Sequence, residues 1–460
     1  MWERAPVAGR GFGALATVPI PAGTLVLRTT ATASLPLDLG ATCAHCFAPA
    51  ALRCARCKLL KYCSRNCQRA DWSSHGPECK YLAPYMASAA GPSPTPTVLL
   101  AARLHYSAID PSDYATNLDA HAPDAIQRYR DMSALVLQIL GATNVADTLP
   151  SMHRLLLTFA MLNCNAFTVC SPEQVPLGIG FYPLAAAYNH ACVPNCVATF
   201  CGRDLYLRAL RPISRGDELT IAYTELVAPT SVRRLELATS YFFHCDCVRC
   251  VVVQGSGSCW AKKEHLLEGC GCSRRGCAGC LEPDVDGATS SCPICLTVIE
   301  HDNVTPRLVQ RAIQAADSAE QRKAIPEAIA CRQRAYALTQ ASYHKYHADN
   351  IAGAETLANL IMSAENAAFR DAAQTSLALT LYATALDGLT WLYGPELAPL
   401  RGLTTLKYAQ ALHLANPNAK DEALRLVQEA CSLLATTHGD DSSVVATAIA
   451  LLYDLQRVES

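Results

Sequence analysis

Eight Cys and His residues between positions 43 and 79 constrain the fold of this chain more than any other feature. Their spacing is Cys43-x2-Cys46-x7-Cys54-x2-Cys57-x5-Cys63-x3-Cys67-x7-His75-x3-Cys79. A segment this short cannot bury enough apolar surface to fold alone, so we expect bound metal to hold it together. An interleaved pairing assigns Cys43, Cys46, Cys63 and Cys67 to one ion, and Cys54, Cys57, His75 and Cys79 to the other. Zinc sites closed by four protein ligands are structural rather than catalytic.

A local excess of positive charge accompanies these ligands. Lys and Arg outnumber Asp and Glu by seven to two between residues 41 and 80. Solvation of a small domain is one explanation of this excess. An acidic partner or a nucleic acid is the other.

The composition of the whole chain indicates which broad class of protein it belongs to. The 460 residues include 24 cysteines, are 51% hydrophobic and carry a net charge of -2, which excludes a global attraction to nucleic acid or anionic lipid. The N-terminal stretch MWERAPVAGR lacks the apolar segment of a secretory signal, and no apolar run reaches the roughly 18 residues of a membrane span. We therefore expect a soluble protein of about three domains, in the nucleus, the cytoplasm or both, whose clustered cysteines bind metal.

Strand and helix patterns alternate along the first half of the chain. Residues 1–40 and 177–227 show short alternating runs between Gly and Pro turns, as in GRGFGALATVPIPAG and ELTIAY. Residues 98–170 show mostly helical spacing and follow a connector rich in Pro and Ser at 88–97. These patterns predict a mixed fold of short strands and helices.

The last third of the chain has a different pattern. Beyond residue 301 apolar side chains recur at helical spacing, and two similar stretches turn at Gly394 and Gly439. The approximate period is that of helical-hairpin repeats. We predict a stack of antiparallel helices of tetratricopeptide type for residues 301–460, with an ordinary helical bundle as the alternative.

The stretch YNHACVPNC at 188–196 contains a cysteine with three chemical interpretations. Cys192 can be a nucleophile with His190 as its base, half of a disulfide, or a metal ligand. A dyad two residues apart lacks a third group to orient the base. The later motif Cys245-x-Cys247-x2-Cys250 offers three thiolates, one fewer than a structural zinc site needs.

A further cysteine cluster lies at 259–295. Four of its members have the spacing of a zinc ribbon, Cys272-x4-Cys277-x14-Cys292-x2-Cys295. Cys259, Cys270 and Cys280 are then surplus, so other pairings within this cluster stay open.

Ordered motifs give the chain a family resemblance. The stretches GRGFG, YNHACVPN, GDELTIAY and CDCVRC follow the order found in SET domains, and KYCSRNCQRADWSSHGPEC with the preceding cysteines resembles a MYND zinc finger. The chain as a whole resembles SET-and-MYND protein-lysine methyltransferases. The cluster at 259–295 is similar to an extra zinc element of some plant and fungal relatives.

This resemblance implies an α+β fold: a SET β-fold with a pseudoknot, an inserted MYND finger, a post-SET zinc site and a helical C-terminal lobe. It identifies residues 1–40 and 171–228 as the two parts of the SET core, 41–80 as the finger, 81–170 as a helical insertion, 229–252 as the post-SET segment, 253–300 as a cysteine-rich insertion and 301–460 as the helical lobe. It further implies a monomer with three or four structural Zn²⁺ ions.

The resemblance also implies an activity and the residues that perform it. Methyl transfer from S-adenosylmethionine to lysine is an in-line displacement that requires a desolvated, deprotonated amine aligned with the methyl group. Tyr223 matches the catalytic tyrosine of the family. The implied cofactor-binding residues are Gly9, Arg10, Gly11, Phe12, Asn117, Asn189, His190, Tyr223 and Phe243. Cys192 matches the fourth ligand of the zinc site of Cys245, Cys247 and Cys250.

Three positions depart from the common family pattern. Phe12 replaces a frequent Asn, Ala191 replaces a frequent Ser, and Ala186 replaces a small polar residue. These departures motivate an alternative function, a catalytically inactive zinc-dependent interaction scaffold or transcriptional co-regulator. Expected partners are a protein substrate with a lysine and Pro-rich proteins bound by the finger, with nucleic acid as a weaker alternative and no membrane.

Overall fold

A computed structural model describes residues 1–88, 91–141, 149–251, 259–274, 276–281, 289–300, 304–394 and 396–457. The described residues therefore leave out parts of three predicted segments: the connector at 88–97, the insertion at 253–300 and both ends of the segment 301–460. The chain divides into two compact units. The first unit comprises Met1–His190, Pro194–Ile221 and Glu236–His244, and the second comprises Ala191–Val193, Ala222–Leu235 and Cys245–Ser460.

Short strands dominate the first unit. They are β1 (Trp2–Val7), β2 (Gly11–Ala16), β3 (Leu25–Thr30), β4 (Ala33–Pro36), β5 (Leu52–Arg53), β6 (Lys61–Tyr62), β7 (Ala166–Cys170), β8 (Pro176–Phe181), β9 (Asn189–His190), β10 (Cys196–Cys201), β11 (Asp204–Ala209) and β12 (Glu218–Ile221). The strand character predicted for residues 1–40 and 177–227 is confirmed.

Three small sheets organise most of these strands. Their strand orders are β1-β2-β12-β9, β10-β11-β3 and β4-β8-β7. In the first sheet β12 pairs antiparallel with β2 and parallel with β9, with Thr220 opposite Asn189 and Ile221 opposite His190. This pairing places residues from three distant parts of the sequence side by side.

The described residues of the first unit also form the helices α1 (Arg65–Ser88), α2 (Pro96–His105), α3 (Pro123–Leu140) and α4 (Met152–Asn165). Thr95 precedes α2 as its N-cap, and its side chain accepts a hydrogen bond from the Val98 amide. Apolar residues of the cysteine-rich segment, including Leu60 and Tyr62, share one buried cluster with Leu99 of α2 and Phe159 of α4. The finger is therefore packed into the core of this unit.

The described part of the second unit is largely helical. Its helices are α5 (Thr230–Glu236), α6 (Cys259–Glu268), α7 (Val304–Gln321), α8 (Ile325–Ser342), α9 (Ala348–Met362), α10 (Ala372–Tyr393), α11 (Pro399–Ala415), α12 (Lys420–His438) and α13 (Ser443–Arg457). The last residue of α5, Glu236, is assigned to the first unit. Two short hairpins lie between α6 and α7: β13 (Cys270–Gly271) with β14 (Cys280–Leu281), and β15 (Thr289–Ser291) with β16 (Val298–Glu300).

Sequential packing characterises the helices from α7 to α13. Each one contacts the next along the chain, as in a stack of helical hairpins. Gly394 follows α10 with φ of 59° and Gly439 follows α12 with φ of 87°, so both predicted turns are confirmed. The helical character predicted beyond residue 301 is confirmed for the described residues, and the tetratricopeptide type stays a prediction. In the described part of the chain no helix has the length and apolar character needed to cross a membrane.

A largely buried glutamate on α9, whose side chain is 14% exposed, makes the stability of this unit depend on pH. Glu355 lies 3.9 Å from the Lys407 ammonium and accepts a hydrogen bond of 3.3 Å from the Asn359 side chain. Burial nevertheless raises the pKa of Glu355 above its usual value, because the loss of water outweighs these favourable partners. The stability that this raised pKa contributes is fully present below the unfolded pKa and is lost as the pH rises through the folded pKa.

The Glu355→Gln variant, which resembles the protonated acid, should therefore be more stable than the wild type under basic conditions. We expect its Tm to exceed that of the wild type by about 2 °C at pH 8 and by less at pH 6, which differential scanning calorimetry measures. Glu429→Gln removes an exposed glutamate that pairs with Arg401 on the same lobe and serves as the control. An equal or larger gain for Glu355→Gln at pH 6 than at pH 8 would contradict the expectation.

Candidate cofactor site and zinc centres

The turn between β1 and β2 presents Arg10 toward the end of β9. Gly9 and Gly11 flank this arginine with φ of 72° and 71°, a left-handed conformation that favours glycine. One Nη atom of Arg10 lies 3.4 Å from a carboxylate oxygen of Glu218 and donates to the carbonyl oxygen of His190 at 3.3 Å. The turn is thereby joined to two strands that lie far away in sequence.

Asn189 completes this polar cluster. Its amide nitrogen donates to the second carboxylate oxygen of Glu218 at 2.7 Å and to the carbonyl oxygen of Phe12 at 3.1 Å. At Gly13 a Cβ atom would lie 2.7 Å from that same Glu218 oxygen and 2.7 Å from a Val7 methyl carbon, so a side chain at this position would displace its neighbours. Glu218 thus binds Arg10 with one oxygen and Asn189 with the other.

Sequence reasoning did not single out Glu218. The sequence shows only an acidic residue at the start of the apolar strand in GDELTIAY. An ordinary exposed glutamate occupies such a position equally well. Only the pairing of β12 with β2 and β9 brings this carboxylate between the two predicted residues. The cluster of Arg10, Asn189 and Glu218 is the polar centre of the candidate cofactor site.

Two residues whose carbonyl oxygens accept hydrogen bonds in this cluster, His190 and Phe12, are aromatic. The His190 ring is buried, and its centroid lies 6.2 Å from that of Phe243. Phe12 is 54% exposed, with the Arg4 guanidinium 4.5 Å from its ring centroid. Phe12 therefore contributes its backbone carbonyl to the cluster, while its ring lies at the surface.

The C-terminal end of α4 brings the segment of Phe243 near the loop of Asn117. Asn117, with φ of 47°, donates to the Cys164 sulfur at 3.6 Å. The preceding residue, Asn163, donates to the Ser240 carbonyl at 2.6 Å. Asn117 and Ser240 thus contact neighbouring residues of α4.

Tyr223 lies two residues beyond the end of β12. It is half-buried and belongs to the second unit, whereas Arg10, Asn189, Glu218 and Phe243 belong to the first. The role of Tyr223 stays a prediction from the resemblance.

The eight ligands of the cysteine-rich segment form two groups, as the interleaved pairing predicts. The donor atoms of Cys43, Cys46, Cys63 and Cys67 lie within 4.8 Å of one another, and so do those of Cys54, Cys57, His75 and Cys79. The sulfurs of Cys46 and Cys63 are 3.5 Å apart, and those of Cys54 and Cys79 are 3.7 Å apart. A zinc ion with Zn–S bonds of about 2.3 Å requires tetrahedral edges of about 3.8 Å, so both groups fit zinc.

Two more groups of four cysteines have the same geometry. They are Cys192, Cys245, Cys247 and Cys250 in the second unit, and Cys272, Cys277, Cys292 and Cys295 in the inserted segment. The sulfur of Cys192 lies 3.4 Å from that of Cys250 and 4.0 Å from that of Cys245, far beyond the roughly 2.05 Å of a disulfide. All 24 cysteines are free of disulfides.

The backbone passes very close to the sulfurs of the group in the inserted segment, Cys272, Cys277, Cys292 and Cys295. A Cβ atom at Gly279 would lie 2.2 Å from the Cys292 sulfur and 3.4 Å from that of Cys277. Only a glycine permits the backbone to pass so close to these thiols. The sulfurs of Cys272 and Cys295 are 3.4 Å apart. Cys259, Cys270 and Cys280 lie outside the group, in agreement with the predicted ribbon spacing.

A buried ion network supports the imidazole ligand of the finger. His75 Nδ1 donates to a Glu78 carboxylate oxygen at 2.8 Å, which leaves Nε2 free for the metal. Arg103 of α2 donates to both Glu78 oxygens, at 2.9 and 2.7 Å, and to the Ser34 carbonyl at 2.9 Å. The motif spacing contained no signal for Arg103, which lies 25 residues beyond Glu78.

These geometries predict four zinc ions per chain. Elemental analysis of the purified protein should give a zinc-to-protein ratio of about four, because each group closes a tetrahedron with its own ligands. The Cys272→Ser, Cys295→Ser double variant should give three while the other sites stay filled. A ratio of three in the wild type would remove the inserted ribbon from the set of zinc sites.

Comparisons with known proteins agree with the ligand pattern. The MYND finger family matches residues 43–79. The histone-lysine N-methyltransferase SMYD3 of Homo sapiens is 33% identical over 265 residues, which cover 54% of this chain and 61% of that protein. The N-lysine methyltransferase SMYD2 of Homo sapiens is 32% identical over 270 residues, with 54% and 60% covered. The histone-lysine N-methyltransferase ASHR1 of Arabidopsis thaliana is 28% identical over 340 residues, which cover 70% of each protein.

The chain spans about three fifths of the length of the two human relatives that it matches. The similarity to these proteins is accompanied by a MYND finger with two complete ligand sets, a mixed strand-and-helix fold and a helical C-terminal region. The chain is therefore similar to named lysine methyltransferases over half of its length or more, and its residues 43–79 match the MYND finger family.

Proposed function

We propose that this chain is an S-adenosylmethionine-dependent protein-lysine N-methyltransferase, and that its short sheets form the pseudoknotted core of a SET domain. The names of the three relatives support a transfer of methyl groups to lysine. The observation that carries the proposal is the cluster in which Glu218 joins Arg10 of the β1–β2 turn to Asn189 of β9. This cluster brings together the motifs GRGFG and YNHACVPN, to which the family resemblance assigns the binding of S-adenosylmethionine.

Each member of this cluster has a role in cofactor binding. S-adenosylmethionine, when bound, supplies the methyl group on a positively charged sulfonium. Gly9 and Gly11 leave backbone amides and carbonyls accessible, because no Cβ atom covers them. Glu218 neutralises Arg10 and orients the Asn189 amide, so that the turn and β9 stay in one arrangement when the ligand enters.

The lysine side of the reaction requires a neutral amine. An apolar, water-excluding channel lowers the pKa of a lysine that enters it, because burial penalises the charged ammonium. We assign Phe243 to the wall of this channel. The Tyr223 hydroxyl would accept or donate a hydrogen bond at the amine and direct its lone pair toward the methyl group. The lysine ammonium would give its proton to water before transfer. The amine nitrogen would then bond to the methyl carbon as the carbon–sulfur bond breaks, which leaves a methylated ammonium and a neutral thioether.

The zinc ions have a structural role in this proposal, since each donor group already provides four protein ligands. We propose a protein substrate that presents a lysine, and a MYND finger that binds protein partners, with Pro-rich segments as the expected class. We place the protein in the nucleus, the cytoplasm or both.

Transfer of labelled methyl groups from S-adenosylmethionine to proteins of a cell lysate tests the proposal. We expect label on lysine side chains, identified by mass spectrometry, and saturable cofactor binding in calorimetry. Cofactor binding without transfer to any protein would favour the inactive scaffold. The absence of both would overturn the proposed function.

A further inference from the structure

A buried arginine contacts the zinc ligands of the second unit. Arg233 lies on α5, and its side chain is 0% exposed. Its Nε donates to the Cys192 sulfur at 3.2 Å, and one Nη donates to the Cys250 sulfur at 3.7 Å. One planar guanidinium therefore bridges two ligands that are 58 residues apart in sequence.

The inserted cysteine-rich segment holds this arginine in place. Glu264 of α6 accepts hydrogen bonds from Arg233 at 3.2 Å on one carboxylate oxygen and at 3.4 Å on the other. The same carboxylate accepts from the backbone amide of Thr230 at the start of α5, at 2.7 Å. The Thr230 hydroxyl accepts a further bond from Arg233 at 2.8 Å.

A second buried arginine completes the network. Arg249 donates to Glu264 and, at 2.8 Å, to the Leu226 carbonyl. Its guanidinium lies 5.0 Å from the centroid of the Trp260 ring, which is also on α6. Arg249 is 0% exposed and immediately precedes the ligand Cys250. Glu264 therefore fixes two arginines around the same cysteine cluster.

Charge explains why such a network is needed. A Zn²⁺ ion with four thiolates carries a formal charge of -2, and a buried anion without compensation is costly. Arg233, Arg249 and Glu264 together add a charge of +1. The N–H donors of Arg233 also stabilise the thiolate form of the two sulfurs that they contact, since hydrogen bonds to charged acceptors are the strong ones.

We propose that Arg233, fixed by Glu264, is a positioning residue for the zinc centre of Cys192, Cys245, Cys247 and Cys250, and that α6 gives the inserted segment its role as a support of this centre. The inference rests on zinc at this site and does not depend on methyl transfer. Loss of an outer partner of a metal site typically costs 10- to 100-fold in metal affinity.

Alkylation rates of individual cysteines test this role in the full chain. The wild type, Arg233→Met, Arg233→Lys and Glu264→Gln are treated with N-ethylmaleimide, and each cysteine is followed by mass spectrometry together with the zinc content. We expect Cys192 and Cys250 to react about tenfold faster in Arg233→Met and Glu264→Gln, while Cys54 and Cys292 keep their wild-type rates. Arg233→Lys should be intermediate, because one ammonium retains the charge but cannot bridge two sulfurs and a carboxylate.

The positioning role requires that only Cys192 and Cys250 react faster, and that the other cysteines keep their rates. Glu264→Gln is the milder variant if Arg233→Met fails to fold, because it preserves the shape of the side chain. Arg128→Met removes an exposed arginine that pairs with Asp124 on α3, and it should leave every rate unchanged. Equal acceleration at Cys292 and Cys192, or wild-type rates at Cys192 and Cys250 in a folded variant, would overturn the positioning role. A wild type without zinc at this site would instead overturn the zinc assignment, and with it the role of Arg233.

Discussion

Replacement of Tyr223 by Phe should lower kcat for methyl transfer by about 100-fold or more and leave the Kd of S-adenosylmethionine nearly unchanged. The substitution removes one hydroxyl and keeps the ring. A directed hydrogen bond at the reacting centre commonly contributes 10²–10³ in kcat, because the donor or acceptor is already oriented when charge redistributes. Such a loss corresponds to roughly 3 kcal/mol of transition-state stabilisation.

The measurement separates a chemical role of Tyr223 from a structural one. Single-turnover methyl transfer gives the rate of the chemical step, and calorimetry gives the Kd of the cofactor for the same preparation. Tyr453→Phe on α13 is the control, since its side chain is exposed and belongs to the helical lobe. Undiminished transfer by Tyr223→Phe would contradict the proposed role, and so would an equal loss in the control.

Replacement of Cys192 by Ser should remove one zinc ion and lower activity at least tenfold through lost order. Cys192 lies with Cys245, Cys247 and Cys250 in one buried group, so a missing ligand opens the tetrahedron. Structural zinc sites contribute apparent binding free energies of about 10–16 kcal/mol to folded peptides at neutral pH. We therefore also expect a lower Tm and faster proteolysis around residues 245–250.

A comparison with Cys247→Ser distinguishes a ligand from a nucleophile. A ligand role predicts that Cys192→Ser and Cys247→Ser lose the same zinc ion and similar activity. A nucleophilic role predicts that only Cys192→Ser is inactive and that it keeps all of its zinc. Cys196→Ala is the matched control, because Cys196 is buried nearby in sequence but lies outside the four-cysteine group. Full zinc content and activity in Cys192→Ser would refute the ligand role.

The candidate cofactor site was only partly predictable. Arg10 and Asn189 were singled out by their motifs, and the structure brings them together. Their common partner Glu218 was not singled out, because it lies 208 residues from Arg10. Local patterns report whether a side chain suits a strand, but only strand pairing decides which side chains meet.

The supports of the zinc centres were also absent from the predictions. Ligand spacing identified His75 as a candidate, and the family resemblance identified Cys192. The residues that orient them, Glu78 with Arg103 and Arg233 with Glu264, follow no periodic or motif pattern. Outer partners come from whichever helix packs against the ligand, and that packing is a property of the whole unit.

The sequence by itself determined the two ligand sets between Cys43 and Cys79, the strand character of residues 1–40 and 177–227 and the helical character beyond residue 301. Metal coordination accepts few residue types at few spacings, and hydrophobic periodicity is local, so both are readable within a few dozen residues. The tertiary structure alone decided which polar and charged groups meet: Glu218 with Arg10 and Asn189 in the candidate cofactor site, and Glu264 with Arg233 beside the zinc ligand Cys192. The physical reason is that the energy of a buried charge depends on its neighbours in space, and these lie 29 to 208 residues away along the chain.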